Sequence, residues 1–329
     1  MRISEKGRLW LFVGLVLVVP ALFNRLVPAK SRFDAKPIAR LRAKQPDLIL
    51  IGDSILASRI NSDLLEKELG CSVAMLWKGG AASAWWYLAF KNYVVAAGVH
   101  PKAVCIFFRD RLLTSGTLRT TGIFRRPLES AMHDHEPAVR LVLGEDAVPG
   151  TGLEKWTTLL YPWNGRRYVQ HERLSWLALR TVTKTGHGAR HLERRVNDAF
   201  DVNQLRRGVT ESTELAGTEA APFDADPARN FLPHLVDVAA RARIRLIFVR
   251  TKRHPGPDGR VAQSDSLVRY MAELRHWLEN HHCTLIDDTE NDAFTPDMFL
   301  KEKDDHLGAW AKSRSTKIYA DHFRSLLPR

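Results

Sequence analysis

The chain reads as an α/β protein built on a parallel sheet, and two observations carry that reading. Five short apolar runs, Leu48–Ile51, Ser72–Trp77, Ala103–Phe108, Ile244–Val249 and Cys283–Asp287, have the length of strands. Leu48–Ile51 and Ala103–Phe108 are continuous rather than alternating, the pattern of strands buried on both faces. Helical segments separate the runs, and strands that alternate with helices make parallel pairs joined by right-handed crossovers. A third feature, an apolar stretch at the amino end, adds a transmembrane helix outside the sheet.

That stretch comes first in the chain. Arg2, Lys6 and Arg8 precede an apolar run from Leu9 to Phe23, which Leu26 and Val27 extend past Arg25. A bilayer crossing takes about 20 apolar residues, with about 17 sufficient. The run reaches that length if Arg25 lifts its charge to the headgroups. A cleaved signal peptide has a core of about 7–15 residues. No small-x-small cleavage site follows, so residues 1–28 read as an uncleaved signal anchor. Arg25, Lys30, Arg32, Lys36 and Arg40 outnumber the basic residues before the span, which argues for a cytoplasmic domain; large domains, however, translocate largely regardless of charge. Residues 29–46, basic and containing Pro37, read as a linker.

The domain proper is expected over 47–329. Asn61-Ser62-Asp63 opens a helix with Leu64, Leu65 and Leu69 inward, and Gly70 stops it. Lys78-Gly79-Gly80 turns the chain after the second strand, and Ala81–Ala97 is helical in composition. The third strand runs into Arg109-Asp110-Arg111. From about 112 to 233 the periodicity is lost, and this region reads as a largely helical insertion over the active face. The pattern resumes with a helix at His234–Ala242. After the fourth strand comes a Pro/Gly-rich loop, then an amphipathic helix, Ser264–His281, carrying Leu267, Tyr270, Met271, Leu274 and Leu278 at helical spacing. The last helix is expected over Ala309–Leu327.

The chain has 329 residues, 45% hydrophobic and 26% charged, ordinary for one large domain or two small ones. Its formal charge of +12 and pI near 9.8 raise the question of a nucleic-acid partner. The basic residues are scattered and no recognition module accompanies them, so none is expected. Acidic headgroups or an anionic polysaccharide suit the same charge. Cys71, Cys105 and Cys283 read as small core residues, with no Cys-x-x-Cys spacing for redox or metal work. No metal and no cofactor are expected.

The chemistry centres on Gly52-Asp53-Ser54, where the first strand ends. Ligands bind at the carboxyl ends of parallel strands, and Gly52 is expected to let the backbone turn sharply there. A serine hydroxyl at that edge is a nucleophile if a base lies within reach. Asp304-Asp305-His306, just before the last helix, supplies the candidate. The α/β-hydrolase Gly-x-Ser-x-Gly turn is absent.

Together, Gly52-Asp53-Ser54-Ile55-Leu56 and Asp304-x-His306 resemble the SGNH (GDSL-type) hydrolase superfamily. The resemblance implies a three-layer, flavodoxin-like sheet and a triad of Ser54 as nucleophile, His306 as base and Asp304 as orienting acid. Asp305 is a rival for the acid, because the family's usual Asp-x-x-His spacing falls on Lys303 here. It also implies three oxyanion donors. Two are the Ser54 backbone N–H and Gly80 (or Gly79). The third is an asparagine after the third strand, where this chain has Arg109. Arg109 then donates in its stead, binds an anionic substrate, or pairs with Asp110.

Trp77, Trp85, Trp86 and Tyr87 suit either sugar rings or packing. Trp85, and Arg250 after the fourth strand, are the candidate substrate contacts. Gly79–Leu88 together with Phe107-Phe108-Arg109-Asp110 resemble the membrane-anchored accessory acyltransferases of cell-surface polysaccharide O-acetylation. That likeness implies an extracytoplasmic (periplasmic) serine esterase or O-acyltransferase, acting on a cell-surface or lipid-linked glycan beside a membrane-bound O-acyltransferase. The alternative is a catalytically impaired glycan-binding or assembly subunit with the same fold.

Overall fold

The structure, a computed structural model, describes residues 33–121, 124–133, 135–144, 222–256, 258–300 and 304–327. The expected signal anchor and residues 145–221 of the expected insertion lie outside that set. Among the described residues no helix is long and apolar enough to cross a membrane.

Strands β1 (Leu48–Gly52), β2 (Val73–Trp77), β3 (Ala103–Phe108), β4 (Leu246–Arg250) and β5 (Thr284–Asp287) form a parallel sheet in the order β2-β1-β3-β4-β5. This is the flavodoxin-like order, whose ligand crevice opens at the switch point between β1 and β3. β1, β3 and β4 are buried along their whole length, as the continuous apolar runs require. β2 and β5 are half-exposed, because an edge strand has a neighbour on one side only.

Nine α-helices flank the strands among the described residues: α1 (Lys36–Lys44), α2 (Ser54–Arg59), α3 (Ser62–Leu69), α4 (Ser83–Ala89), α5 (Arg125–Ser130), α6 (Pro137–Leu143), α7 (Leu232–Ala242), α8 (Asp265–Asn280) and α9 (Lys312–Leu326). Successive strand residues face opposite sides. Leu48, Leu50, Cys105, Phe107, Ile247 and Val249 pack with Leu56, Leu65, Tyr319 and Phe323, the core beneath α2, α3 and α9. Ile49, Ile51, Val104 and Ile106 point the other way and are fully buried too. Each such Leu or Ile contributes about 1.5–3 kcal/mol on burial.

Local signals set several helix ends. Asn61 Oδ1 accepts the N–H groups of Asp63 and Leu64 at 3.1 and 3.2 Å, and Gly70 ends α3 in the left-handed conformation. Ser264 caps α8, and the five spaced apolar residues form its buried face. Two expectations are corrected. The stretch read as a linker contains α1. Pro37 is tolerated in its first turn, Leu41 is buried, and Arg42 donates to the carbonyls of Ala96 and Ala97. With one buried apolar residue it shows no periodicity, and tertiary contact rather than propensity holds it. The helix expected over Ala81–Ala97 is α4 followed by a π-helical segment, Phe90–Val95. That wider turn carries Asn92, whose amide bonds Ala131 O and Glu136 in the interior.

Candidate active site

β1 delivers Gly52, Asp53 and Ser54 to the switch point. Gly52 is needed there for close approach rather than for a turn of unusual backbone. A Cβ at this position would stand 2.8 Å from Leu56 Cβ and 3.2 Å from Phe107 Cβ. Asp53 caps α2 by accepting the Ile55 N–H at 2.8 Å. Ser54 is the first residue of α2, so its own N–H has no intrahelical acceptor.

The loop before α9 brings the other half. Phe299 and Leu307 form an antiparallel bridge, both side chains buried, with bonds from Leu300 N–H to His306 O and Gly308 N–H to Met298 O. His306, on the opposite face of this ribbon, places Nε2 2.8 Å from Ser54 Oγ and Nδ1 2.7 Å from Asp304 Oδ1. The same Asp304 oxygen accepts the His306 backbone N–H at 2.9 Å. This bond two residues along bends the chain in an Asx-turn, so a two-residue spacing still brings acid and imidazole together. Partial burial opposes ionisation of Asp304. The two bonds from His306 and the charge of Arg109 outweigh it and hold the carboxyl below its ordinary range. An ionised Asp304 assigns the proton to Nδ1 and leaves Nε2 to accept the Ser54 hydroxyl.

Asp305 does something else. Its carboxylate accepts the His254 N–H at 2.9 Å and pairs with Arg109 Nη1 at 3.0 Å, and its carbonyl accepts Arg59 Nη2 at 3.0 Å. It tethers the loop rather than facing the imidazole. Arg109 spans the crevice, with Nη1 on Asp305 and Nη2 3.7 Å from Asp53. Burial would lower its pKa, but the carboxylates of Asp53, Asp305 and Asp110 raise it, so the charge is permanent. Of the three roles expected for Arg109, pairing with Asp110 gives way to pairing with Asp53 and Asp305. Two carboxylates balance its charge, and only Nε, buried without a hydrogen-bond acceptor, is uncommitted.

Arg250 is 2% exposed and is not placed to meet a substrate. It bonds Asp110 at 2.7 Å, Gln263 at 2.9 Å and Asp287 at 3.2 Å. It stands in register between Phe108 of β3 and Asp287 of β5, so it ties the carboxyl ends of three strands. Gly80 adopts φ +69°, with the Phe124 ring against its Cα. With Trp85, Arg119 and Leu128 it lines a small cavity. Trp85, Trp86 and Tyr87 are buried, and Tyr87 stacks on Phe231, so packing accounts for them.

Sequence reasoning missed Arg59, which carries no local signal. It is fully buried in α2, donates to Lys252 O at 2.7 Å and Asp305 O at 3.0 Å, and lies over Phe294 and Phe299. It ties the helix of Ser54 to the loop of His306. Cys105 is buried; Cys71 and Cys283 are half-buried, and all three thiols are free, with pKa values raised by burial.

No family model and no curated protein matches the chain. Among solved structures it is similar to a proposed acylhydrolase from Bacteroides fragilis, at 10% identity over 92% of this chain and 100% of that one, TM-score 0.41. An acetyl xylan esterase follows at 13%, 85%, 100% and 0.38. A GDSL-like lipase from Bacteroides thetaiotaomicron follows at 10%, 91%, 98% and 0.38. At such identities and scores the likeness carries no argument about chemistry.

Proposed function

We propose that this chain is a serine esterase or O-acyltransferase of the SGNH type that works through an acyl-Ser54 intermediate. The observation that supports it is the unbroken chain Asp304–His306–Ser54, at 2.7 and 2.8 Å, at the switch point of the sheet. Ser54 Oγ attacks the acyl carbonyl and passes its proton to His306 Nε2. Asp304 holds the imidazole and balances the charge it gains. The carbonyl oxygen, now an oxyanion, meets the Ser54 N–H, with Gly80 beyond β2 as the second donor. His306 returns its proton to the leaving oxygen, and the ester bond breaks. Water or a sugar hydroxyl then attacks the acyl-serine, giving up its proton to His306, which passes it to Ser54 Oγ as the acyl–oxygen bond breaks.

The expected substrate is a cell-surface or lipid-linked glycan. The expected setting is the extracytoplasmic side of a membrane, held by the apolar amino-terminal run, beside a membrane-bound O-acyltransferase. Those readings rest on the sequence resemblance. A fluorophosphonate probe tests the chemistry: wild type labels at Ser54, and Ser54→Ala does not. A wild type that stays unlabelled refutes the enzyme and favours the glycan-binding subunit.

A further inference from the structure

Trp310 is the most exposed of the large apolar side chains among the described residues, at 65%. Its Nε1–H donates to Asp297 O at 3.0 Å, and its ring lies against Gly308, where a Cβ would come within 2.3 Å of it. The indole is therefore held in place, with part of its six-membered ring against Gly308 and the residue 65% exposed. Its location follows from the ribbon. Leu307 points into the core, so His306 and the missing Cβ of Gly308 point to the opposite side. Two residues of extended chain span about 7 Å. The open indole thus stands on the face that carries the imidazole, within about two residues of the group bonded to Ser54.

We propose that Trp310 is a sugar-stacking platform, which places a pyranose ring of the substrate beside the Ser54–His306 pair. A pyranose has an apolar C–H face edged by hydroxyls. The surroundings of Trp310 suit that mixture: Asp297, whose carbonyl accepts the indole N–H, is exposed, and so are Ser313 and Arg314, three and four residues beyond Trp310 along the chain. A membrane surface calls for a wider apolar face, and a protein partner for an apolar patch of several hundred Å². Of the aromatics first expected to meet sugar, Trp85, Trp86 and Tyr87 are buried, and Trp77 is 50% exposed at the end of β2; Trp310 is the more exposed, at 65%, and its ring lies against Gly308, two residues from His306. The proposal rests on the acyl-serine reading for what the bound sugar undergoes, but not for the binding itself.

The test uses the full chain on an array of hexose, N-acetylhexosamine, pentose and uronate oligosaccharides, then calorimetric titration with the best-retained glycan. Wild type and Ser54→Ala should bind equally. Trp310→Ala should weaken binding about tenfold or more, as loss of an aromatic anchor does. Trp310→Phe should lose less, and Val268→Ala, an exposed apolar position on α8, should change nothing. Fluorophosphonate labelling of Trp310→Ala at the wild-type rate shows that the fold and the triad survive. No glycan retained by wild type overturns the proposal, as does equal binding by Trp310→Ala. Capture of wild type but not Trp310→Ala by phosphatidylglycerol vesicles, without glycan binding, overturns it in favour of a lipid contact. Glycan binding that depends on Trp310 in a chain that never labels leaves the platform standing and removes the enzyme.

Discussion

Replacing Arg109 with methionine keeps most of the side chain's volume and removes the charge between Asp53 and Asp305. The two carboxylates are 6% and 11% exposed. Breaking a buried ion pair by removing one partner costs about 3–5 kcal/mol. Both acids keep other donors here. Asp305 retains the His254 N–H at 2.9 Å and Arg253 at 3.9 Å. Asp53 retains the Ile55 N–H at 2.8 Å and Arg119 at 3.9 Å. The lower bound therefore applies: about 3 kcal/mol, roughly a hundredfold in the folding equilibrium. Urea unfolding measures it. The double variant Arg109→Met/Asp305→Asn removes the stranded charge as well, and should recover at least about 1 kcal/mol of coupling. Labelling of Ser54 by a fluorophosphonate should slow in Arg109→Met, because the loop of His306 loses a tie, and Arg109→Lys should restore part of the rate. If Arg109→Met unfolds within about 0.5 kcal/mol of wild type and shows no coupling to Asp305, the strut described here does not exist.

Three further expectations concern the same region and its support. Asp304→Asn keeps the shape of the acid but lets the imidazole take the wrong tautomer, so labelling of Ser54 should fall by about 10,000-fold, whereas Asp305→Asn should lower stability more than labelling. Gly52→Ala forces a Cβ to 2.8 Å from Leu56 Cβ; both contacting atoms sit next to backbone and cannot swing aside. It should cost about 1–3 kcal/mol, read as a lower thermal midpoint. His322 bonds the buried Asp288 at 3.0 Å, and that bond, ahead of the opposing burial, raises its pKa above 6.5. A raised folded value means the contribution to stability is complete below 6.5 and disappears as pH climbs through the raised value. His322→Gln should therefore be most destabilised relative to wild type below pH 6.5, with the gap closing as pH rises through the raised value; unfolding curves on both sides check it.

The expectations that were easiest to read from the residues are the local ones. A continuous apolar run states that both of its faces are covered, and β1 and β3 are buried end to end. Asn61, Gly70 and Ser264 cap helices through bonds that reach two to four residues. Helix α1 was hidden because its one buried leucine makes no period; its reason for being helical is a neighbouring segment more than fifty residues away.

Partnership across the sheet's edge was not legible. Arg109 and Arg250 look alike on the page, each an arginine at the end of an apolar run. The strand order makes them different: Arg250 ends β4 between Asp110 and Asp287, while Arg109 follows β3 beside β1 and reaches the acids on either side of the Ser54–His306 pair. Asp304 and Asp305 are adjacent and chemically identical; the Asx-turn folds the Asp304 carboxylate back onto His306, while the Asp305 carboxylate meets Arg109. Capping and periodicity are settled within a turn or two of chain. An ion pair, or a hydroxyl and an imidazole 252 positions apart, is settled only when the order of strands decides which loops share an edge.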